Sequence, residues 1–96
     1  MNKNFCVYIL ANKRNGVLYI GITSDLVKRI WQHRNSIIAG FIRKYNIKKL
    51  VYYEQHECAT TAIQREKLLK NWHRKWKISL IESMNPNWED LYEGIL

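Results

Sequence analysis

Phe5-Cys6-Val7-Tyr8-Ile9-Leu10 and Val17-Leu18-Tyr19-Ile20-Gly21-Ile22 are short runs of apolar and β-favouring residues, divided by Asn12-Lys13-Arg14-Asn15-Gly16. The Asn-Gly pair readily takes positive φ in a tight turn, so the chain is expected to open with an antiparallel hairpin. A two-residue turn at Asn15-Gly16 pairs Tyr8 with Thr23, and a four-residue loop over 12–15 pairs Tyr8 with Tyr19. Either register places Tyr8, Tyr19 and Gly21 on one face, because strand side chains alternate with period two.

Working outward, Thr23-Ser24-Asp25 offers several N-caps for a helix running to about Arg34. Leu26 and Ile30 face inward, and Arg29 and His33, four apart, are neighbours on one side of it. Residues 37–45 form a second short helix, and Leu50-Val51-Tyr52-Tyr53-Glu54 a third strand. Thr61 with Gln64 has the spacing of a capping box. One long helix is expected from there to Met84, ended by Asn85-Pro86. Ala62, Leu69, Trp72, Trp76 and Leu80 make its apolar stripe. The result is a small α/β domain of the α+β type, with a three-stranded antiparallel sheet flanked by helices in the order β-β-α-α-β-α.

At 96 residues and 47% hydrophobic, the chain has room for one domain over residues 1–96 and enough apolar content to fold without staples. The formal charge of +8 favours a polyanionic partner, nucleic acid before membrane surface. The charge is uneven. Between residues 25 and 50, Lys28, Arg29, Arg34, Arg43, Lys44, Lys48 and Lys49 face Asp25 alone, whereas the tail holds Glu82, Glu89, Asp90 and Glu93 without Lys or Arg. Cys6 and Cys58 stand far apart and read as ordinary small buried residues, neither a zinc site nor a disulfide framework. With no apolar run long enough for a leader or a membrane span, a reduced, cytoplasmic protein is expected.

Glu66 is the most informative residue. It lies between Ala62 and Leu69 on the apolar stripe, where a carboxylate is costly unless compensated. Either an Arg or Tyr pairs with it, or it lies at the stripe's edge, or it holds a hard cation such as Mg²⁺, which needs only one or two carboxylates besides waters and phosphate. Arg29 can grip a phosphate through parallel hydrogen bonds, and His33 can orient water or move a proton, although both also suit a solvated helix face. Tyr8 and Tyr19 are poor bases unless cations depress their pKa, and plain strand packing also accounts for them. Trp72 and Trp76 read as core, while Trp31 and Trp88 suit core or a stacking surface. Lys67, Lys70, Arg74, Lys75 and Lys77 form a basic helix surface that contacts phosphates or is simply solvated. No Gly-rich phosphate loop, His-Glu-x-x-His or Ser-nucleophile motif occurs.

Together, Val7-Tyr8-Ile9-Leu10, Tyr19-Ile20-Gly21, Leu26-x-x-Arg29-Ile30-x-Gln32-His33, Arg65-Glu66-Lys67 and Asn85-Pro86 resemble the GIY-YIG nuclease superfamily over nearly the whole chain. Trp72-x-x-x-Trp76-Lys77 and Asn85-Pro86-Asn87-Trp88 look most like its small stand-alone bacterial branch, akin to the GIY-YIG catalytic domain of the excision-repair nuclease. The resemblance implies metal-dependent hydrolysis of nucleic-acid phosphodiesters, DNA favoured over RNA, in repair or processing. Tyr8 or Tyr19 would activate water (Tyr8 first), Arg29 would stabilise the pentacovalent phosphate, His33 would assist, and Glu66 would ligate one Mg²⁺ or Mn²⁺. Asn85 matches a C-terminal Asn of some members, and Lys67, Lys70 and Arg74 would contact nucleic acid. The first motif departs from Gly-Ile-Tyr as Cys6-Val7-Tyr8, and Ile22 stands where excision-repair relatives carry Lys. No separate recognition domain is visible, which keeps open a non-catalytic nucleic-acid-binding module. A third reading has the acidic, aromatic tail Trp88–Tyr92 docking on a protein partner.

Overall fold

A computed structural model describes residues 4–35 and 40–96. Strand β1 (Phe5–Ala11) is central, with β2 (Leu18–Thr23) on one side and β3 (Lys49–His56) on the other, all antiparallel. Helix α1 (Leu26–Arg34) and the short α2 (Phe41–Lys44) lie between β2 and β3 in sequence; α3 (Ala59–Asn71) and α4 (Arg74–Met84) follow. This is the expected α+β arrangement. Of the helix expected over 37–45, residues 37–39 lie outside the described residues.

The hairpin register is neither of the two expected ones. Ala11 pairs with Leu18 and Tyr8 with Gly21, across a loop of residues 12–17. Within this loop, Asn15 alone takes the left-handed conformation (φ 57°). Asn12 organises the loop, accepting from Val17 N through Oδ1 at 2.8 Å. All three registers share parity, so the expected face of Tyr8, Tyr19 and Gly21 survives the slip.

Apolar side chains fill both faces of the sheet. On one, Val7, Ile9, Ile20 and Val51 pack with Ala62 and Leu69 of α3, Ile81 of α4 and Trp88. On the other, Tyr8, Leu10 and Leu50 pack with Ile30 of α1 and Ile47. Between Leu50 and Tyr52, β3 carries one extra residue, because Ile9 pairs with Tyr52 and Leu10 with Leu50. Such a bulge redirects backbone polar groups away from the ladder. Here the C-terminal segment receives them. Asn85 Nδ2 donates to Val51 O at 3.1 Å, Leu91 N donates to Leu50 O at 2.8 Å, and Leu50 N donates to Asp90 Oδ1 at 3.3 Å.

The single helix expected to run to Met84 is two helices. Trp72 is extended (φ −69°, ψ 150°) and ends α3, and α4 starts after His73. Asn71, Trp72 and His73 are middling helix formers, and the Asn71 amide donates to Lys67 O, closing off the last turn. The break interrupts the 3.6-residue phase, so the expected stripe does not run through: Ala62 and Leu69 are buried, Trp72 is half-buried and Trp76 is exposed. The N-cap of α3 is Cys58 rather than Thr61, whose hydroxyl lies a turn inside and donates to Cys58 O at 3.2 Å. Cys58 is therefore exposed, against expectation, whereas Cys6 is buried; neither forms a disulfide.

The tail is also not a free docking segment. Trp88 is fully buried despite a φ of 55°, its indole N–H donating to Glu82 Oε2 at 2.8 Å. Asp90 pairs with Arg34, whose guanidinium lies over the Tyr92 ring at 4.7 Å. Among the described residues no helix is long and apolar enough to cross a membrane.

Asn85, carried into the candidate site by resemblance, is 4% exposed and has its whole amide engaged by backbone. Nδ2 donates to Val51 O and to Glu89 O at 2.7 Å, and Oδ1 accepts from Glu89 N at 3.0 Å. Asn85→Ala is expected to lower folding stability by roughly 2–3 kcal/mol, since it orphans buried backbone groups. A denaturant midpoint measures this; an unchanged midpoint would show that the amide does not hold the tail.

Candidate active site

Tyr8 projects from the middle of the central strand, with Gly21 beside it on β2 and Tyr53 beside it on β3. Its ring lies across the space where a side chain at Gly21 would stand. A Cβ there would be 2.5 Å from Tyr8 Cζ and nearer still to Oη, so the fully buried ring would have to shift. Glycine is thus required by close approach, not by its dihedral freedom.

Helix α1 is seated by Asp25, whose Oδ1 accepts from Lys28 N at 3.1 Å, and by the buried Ile30. That placement brings His33, only 1% exposed, against the phenol, with Nε2 3.1 Å from Tyr8 Oη. Tyr19 closes the triangle, its ring centroid 6.4 Å from that of Tyr8 and 5.8 Å from that of His33. Arg29, one turn before His33 on α1, is half-buried.

Burial pushes the Tyr8 phenol up to about 12, helped by Tyr19 and by the Glu66 carboxylate, while Arg29 pulls the other way and loses. Arg29 by itself therefore does not bring this phenol below its ordinary value, because desolvation outweighs it. His33 is driven down to about 4, first by burial and then by the Arg29 charge, so its ring is neutral at neutral pH. A neutral imidazole carries one N–H. If Nε2 accepts from Tyr8, the proton sits on Nδ1, which is buried without a hydrogen-bond partner. If Nε2 donates instead, the Tyr8 hydroxyl hydrogen is free for another acceptor, and Nδ1 is left with only an unused lone pair.

Glu66 comes from α3. Its side chain is 16% exposed and pairs with Lys70 at 3.3 Å, a residue itself largely in solvent. Its pairing partner is thus a lysine one turn on, not the Arg or Tyr considered from sequence. Its charge still acts on Tyr8. Tyr8, Tyr19, Arg29, His33 and Glu66 thus form one electrostatic neighbourhood drawn from β1, β2, α1 and α3. Among the described residues no group of three or more His, Cys, Asp or Glu side chains could hold a metal ion. A single sheltered carboxylate fits a hard divalent cation that keeps most of its waters and takes substrate oxygens, and does not fit a closed zinc site.

The basic residues are placed differently from one another. Lys67 is exposed, Lys70 is on Glu66, and Arg74 ties α4 to the hairpin loop, donating to Asn15 O at 2.7 Å and Gly16 O at 2.5 Å. A second polar cluster was missed from sequence. Glu54 accepts from Tyr52 Oη at 2.5 Å and Arg65 Nε at 2.8 Å and lies 3.0 Å from His56 Nε2, and Arg65 stacks over Trp72 at 5.2 Å. The Tyr52-x-Glu54-x-His56 alternation on β3 was its visible signal. These donors hold the Glu54 carboxyl low against its burial.

Gly21→Ala is expected to push the phenol off His33 and cost about 1–3 kcal/mol of stability by overpacking, with the His33 ring resonances displaced in NMR spectra. Unmoved resonances would show that the contact is soft. For His33, the folded pKa lies below the unfolded one. The unfolded chain therefore binds more protons between about 6.5 and about 4, and stability falls as pH drops through that window. A His33→Gln variant should lose this component, of order 2–3 kcal/mol, measured as the difference between denaturant midpoints across that range. Parallel pH dependence in the two proteins would contradict it.

Residues 4–79 match the GIY-YIG catalytic domain. A UPF0213 protein of Clostridium perfringens is 40% identical over 87 residues, covering 91% of each chain. A UPF0213 protein from the VLF1-GP41 intergenic region of Autographa californica nuclear polyhedrosis virus is 38% identical over 84 residues, covering 85% of this chain and 80% of its own. The solution NMR structure of a UPF0213 protein from Bacillus halodurans aligns with a TM-score of 0.58 at 27% identity, covering 94% of this chain and 95% of the other. With the match spanning most of its length, the chain belongs to the GIY-YIG catalytic domain family, a nuclease superfamily.

Proposed function

We propose that this chain is a metal-dependent endonuclease that hydrolyses nucleic-acid phosphodiester bonds, DNA in preference to RNA, in DNA repair or processing. The observation that carries the reading is the convergence of Tyr8, Tyr19, Arg29, His33 and Glu66, from four separate elements, into one neighbourhood in which Glu66 and Arg29 act on the same phenol.

Arg29 receives the scissile phosphate and holds its developing negative charge. In its phenolate form, Tyr8 takes the proton of the attacking water at Oη, with His33 fixing the orientation of that oxygen through Nε2. Tyr19, less buried than Tyr8, positions water or a phosphate oxygen at the mouth of the site. A pKa near 12 leaves very little phenolate at neutral pH, so the Tyr8 step demands added positive charge beyond Arg29. Bound on Glu66, Mg²⁺ or Mn²⁺ would supply that charge, neutralise the phosphate and cancel the upward push of Glu66 on Tyr8. Lys67 and Lys70 extend the basic surface past the site and contact neighbouring phosphates, and Arg74 holds the hairpin loop against it.

The competing reading is a nucleic-acid-binding module without catalysis. The Glu66–Lys70 ion pair favours it, because an ammonium already occupies the carboxylate. Yet Lys70 is half in solvent, and such a pair is worth little.

Folded Glu66→Ala and Tyr8→Phe variants are each expected to lose about 100-fold or more of divalent-metal-dependent cleavage while still binding nucleic acid. Wild-type cleavage is expected to rise with pH from neutral into the alkaline range, as the phenolate fraction grows. The assay uses single-stranded, duplex, flapped and branched DNA and RNA with Mg²⁺ or Mn²⁺. Equal cleavage by wild type and Glu66→Ala, or a rate that falls with rising pH, would contradict the assignment. Binding without any cleavage would favour the module.

A further inference from the structure

Trp76 is the residue that the proposed chemistry leaves unexplained. It was expected in the core and is 54% exposed, in the first turn of α4. It is not a loose side chain. Its ring packs at right angles against Trp72, with centroids 5.9 Å apart, and against His73 at 5.5 Å. Trp72 in turn lies under the Arg65 guanidinium. A large aromatic surface is thus held in a fixed orientation and still offered to solvent.

The sequence on either side of it carries one charge. Lys67, Lys70, Arg74, Lys75 and Lys77 fall between residues 67 and 81 with no Asp or Glu among them. Lys77 reaches back to Lys70 O at 3.4 Å, and Lys70 pairs with Glu66, so the patch is continuous with the candidate site. An open groove of ≈ 720 Å³ between α4 and the hairpin loop is lined by Asn12, Lys13, Asn15, Arg74 and Lys77 among others, again without a carboxylate, and Trp76 stands outside it. Arg74 is the strut that joins the two walls.

An ordered aromatic ring beside a cationic track has the composition of a surface for single strands. The charges follow the backbone and the ring stacks a base, while in an intact duplex the base faces are covered by their neighbours. We infer that Trp76 stacks an unpaired base of single-stranded DNA whose backbone is held by the basic residues of α3 and α4, so that the enzyme selects substrates with an unpaired segment next to the scissile bond. This rests on the nuclease reading for its biological sense, but binding alone tests it.

The test is fluorescence anisotropy on the full chain without divalent metal. The probes are a labelled oligothymidylate, an abasic strand of the same length and a duplex. Trp76→Ala is expected to weaken oligothymidylate binding by about 10-fold, leave abasic and duplex binding within about twofold, and keep the wild-type circular dichroism spectrum. Trp76→Phe should retain most of the affinity. Equal losses on all three probes, no loss on the oligothymidylate, or no wild-type preference for it over the abasic strand would each overturn the inference. So would a dimer abolished by Trp76→Ala with DNA binding intact. Because no metal is present, the base-dependent loss can appear in a chain that never cleaves, and cleavage can occur without it. The two readings therefore fail separately.

Discussion

The fit of the Tyr8 ring over Gly21 is the contact on which the rest of the site depends. It demands a bare Cα on β2 at the position opposite Tyr8, and so it fixes which register of the hairpin is functional. With the ring held there, its hydroxyl is buried and meets what the neighbouring elements bring: His33 directly, Tyr19 at ring distance, Arg29 through hydrogen bonding and charge, and Glu66 through its charge. The same burial sets the electrostatics. It raises the phenol and lowers the imidazole, so the site rests with both groups neutral and strongly resistant to ionising.

A short C-terminal segment stabilises this arrangement from outside. The bulged start of β3 exposes backbone groups that a sheet edge would otherwise present to another chain. Asn85, Asp90 and Leu91 take them up. Asp90 also binds Arg34, which follows His33 on α1. The tail therefore tethers the helix that carries Arg29 and His33 to the strand that neighbours Tyr8. Of the tail's carboxylates, Glu82 and Asp90 are used within the chain.

Much of the site was legible from residue spacing, because strand parity is robust. A slip of two residues in the hairpin changed Tyr8's partner from Thr23 or Tyr19 to Gly21 without moving any side chain to the other face. Arg29 and His33 followed from a helical turn and a good N-cap. The steric role of Gly21 was not legible, since it arises from the path of a ring on the adjacent strand. Nor was the break after Asn71: no Pro or Gly marks it, and the apolar periodicity runs through Trp72 and Trp76 as if the helix continued. That periodicity misplaced Trp76 in the core, and the fold turned the residue outward, where it acquires a different use. The raised pKa of Tyr8 was not legible for a related reason. Charges can be read from sequence, but depth of burial cannot, and here depth decides.

The most direct measurement is an NMR titration of the metal-free protein with ¹³Cζ-labelled tyrosine, following Tyr8 from neutral to strongly alkaline pH. The buried, clamped phenol should remain protonated well past the ordinary tyrosine value, with a pKa near 12. A Tyr8 that titrates at or below the ordinary value would mean that Arg29 outweighs burial, and the neutral, clamped Tyr8–His33 pair described here would be wrong.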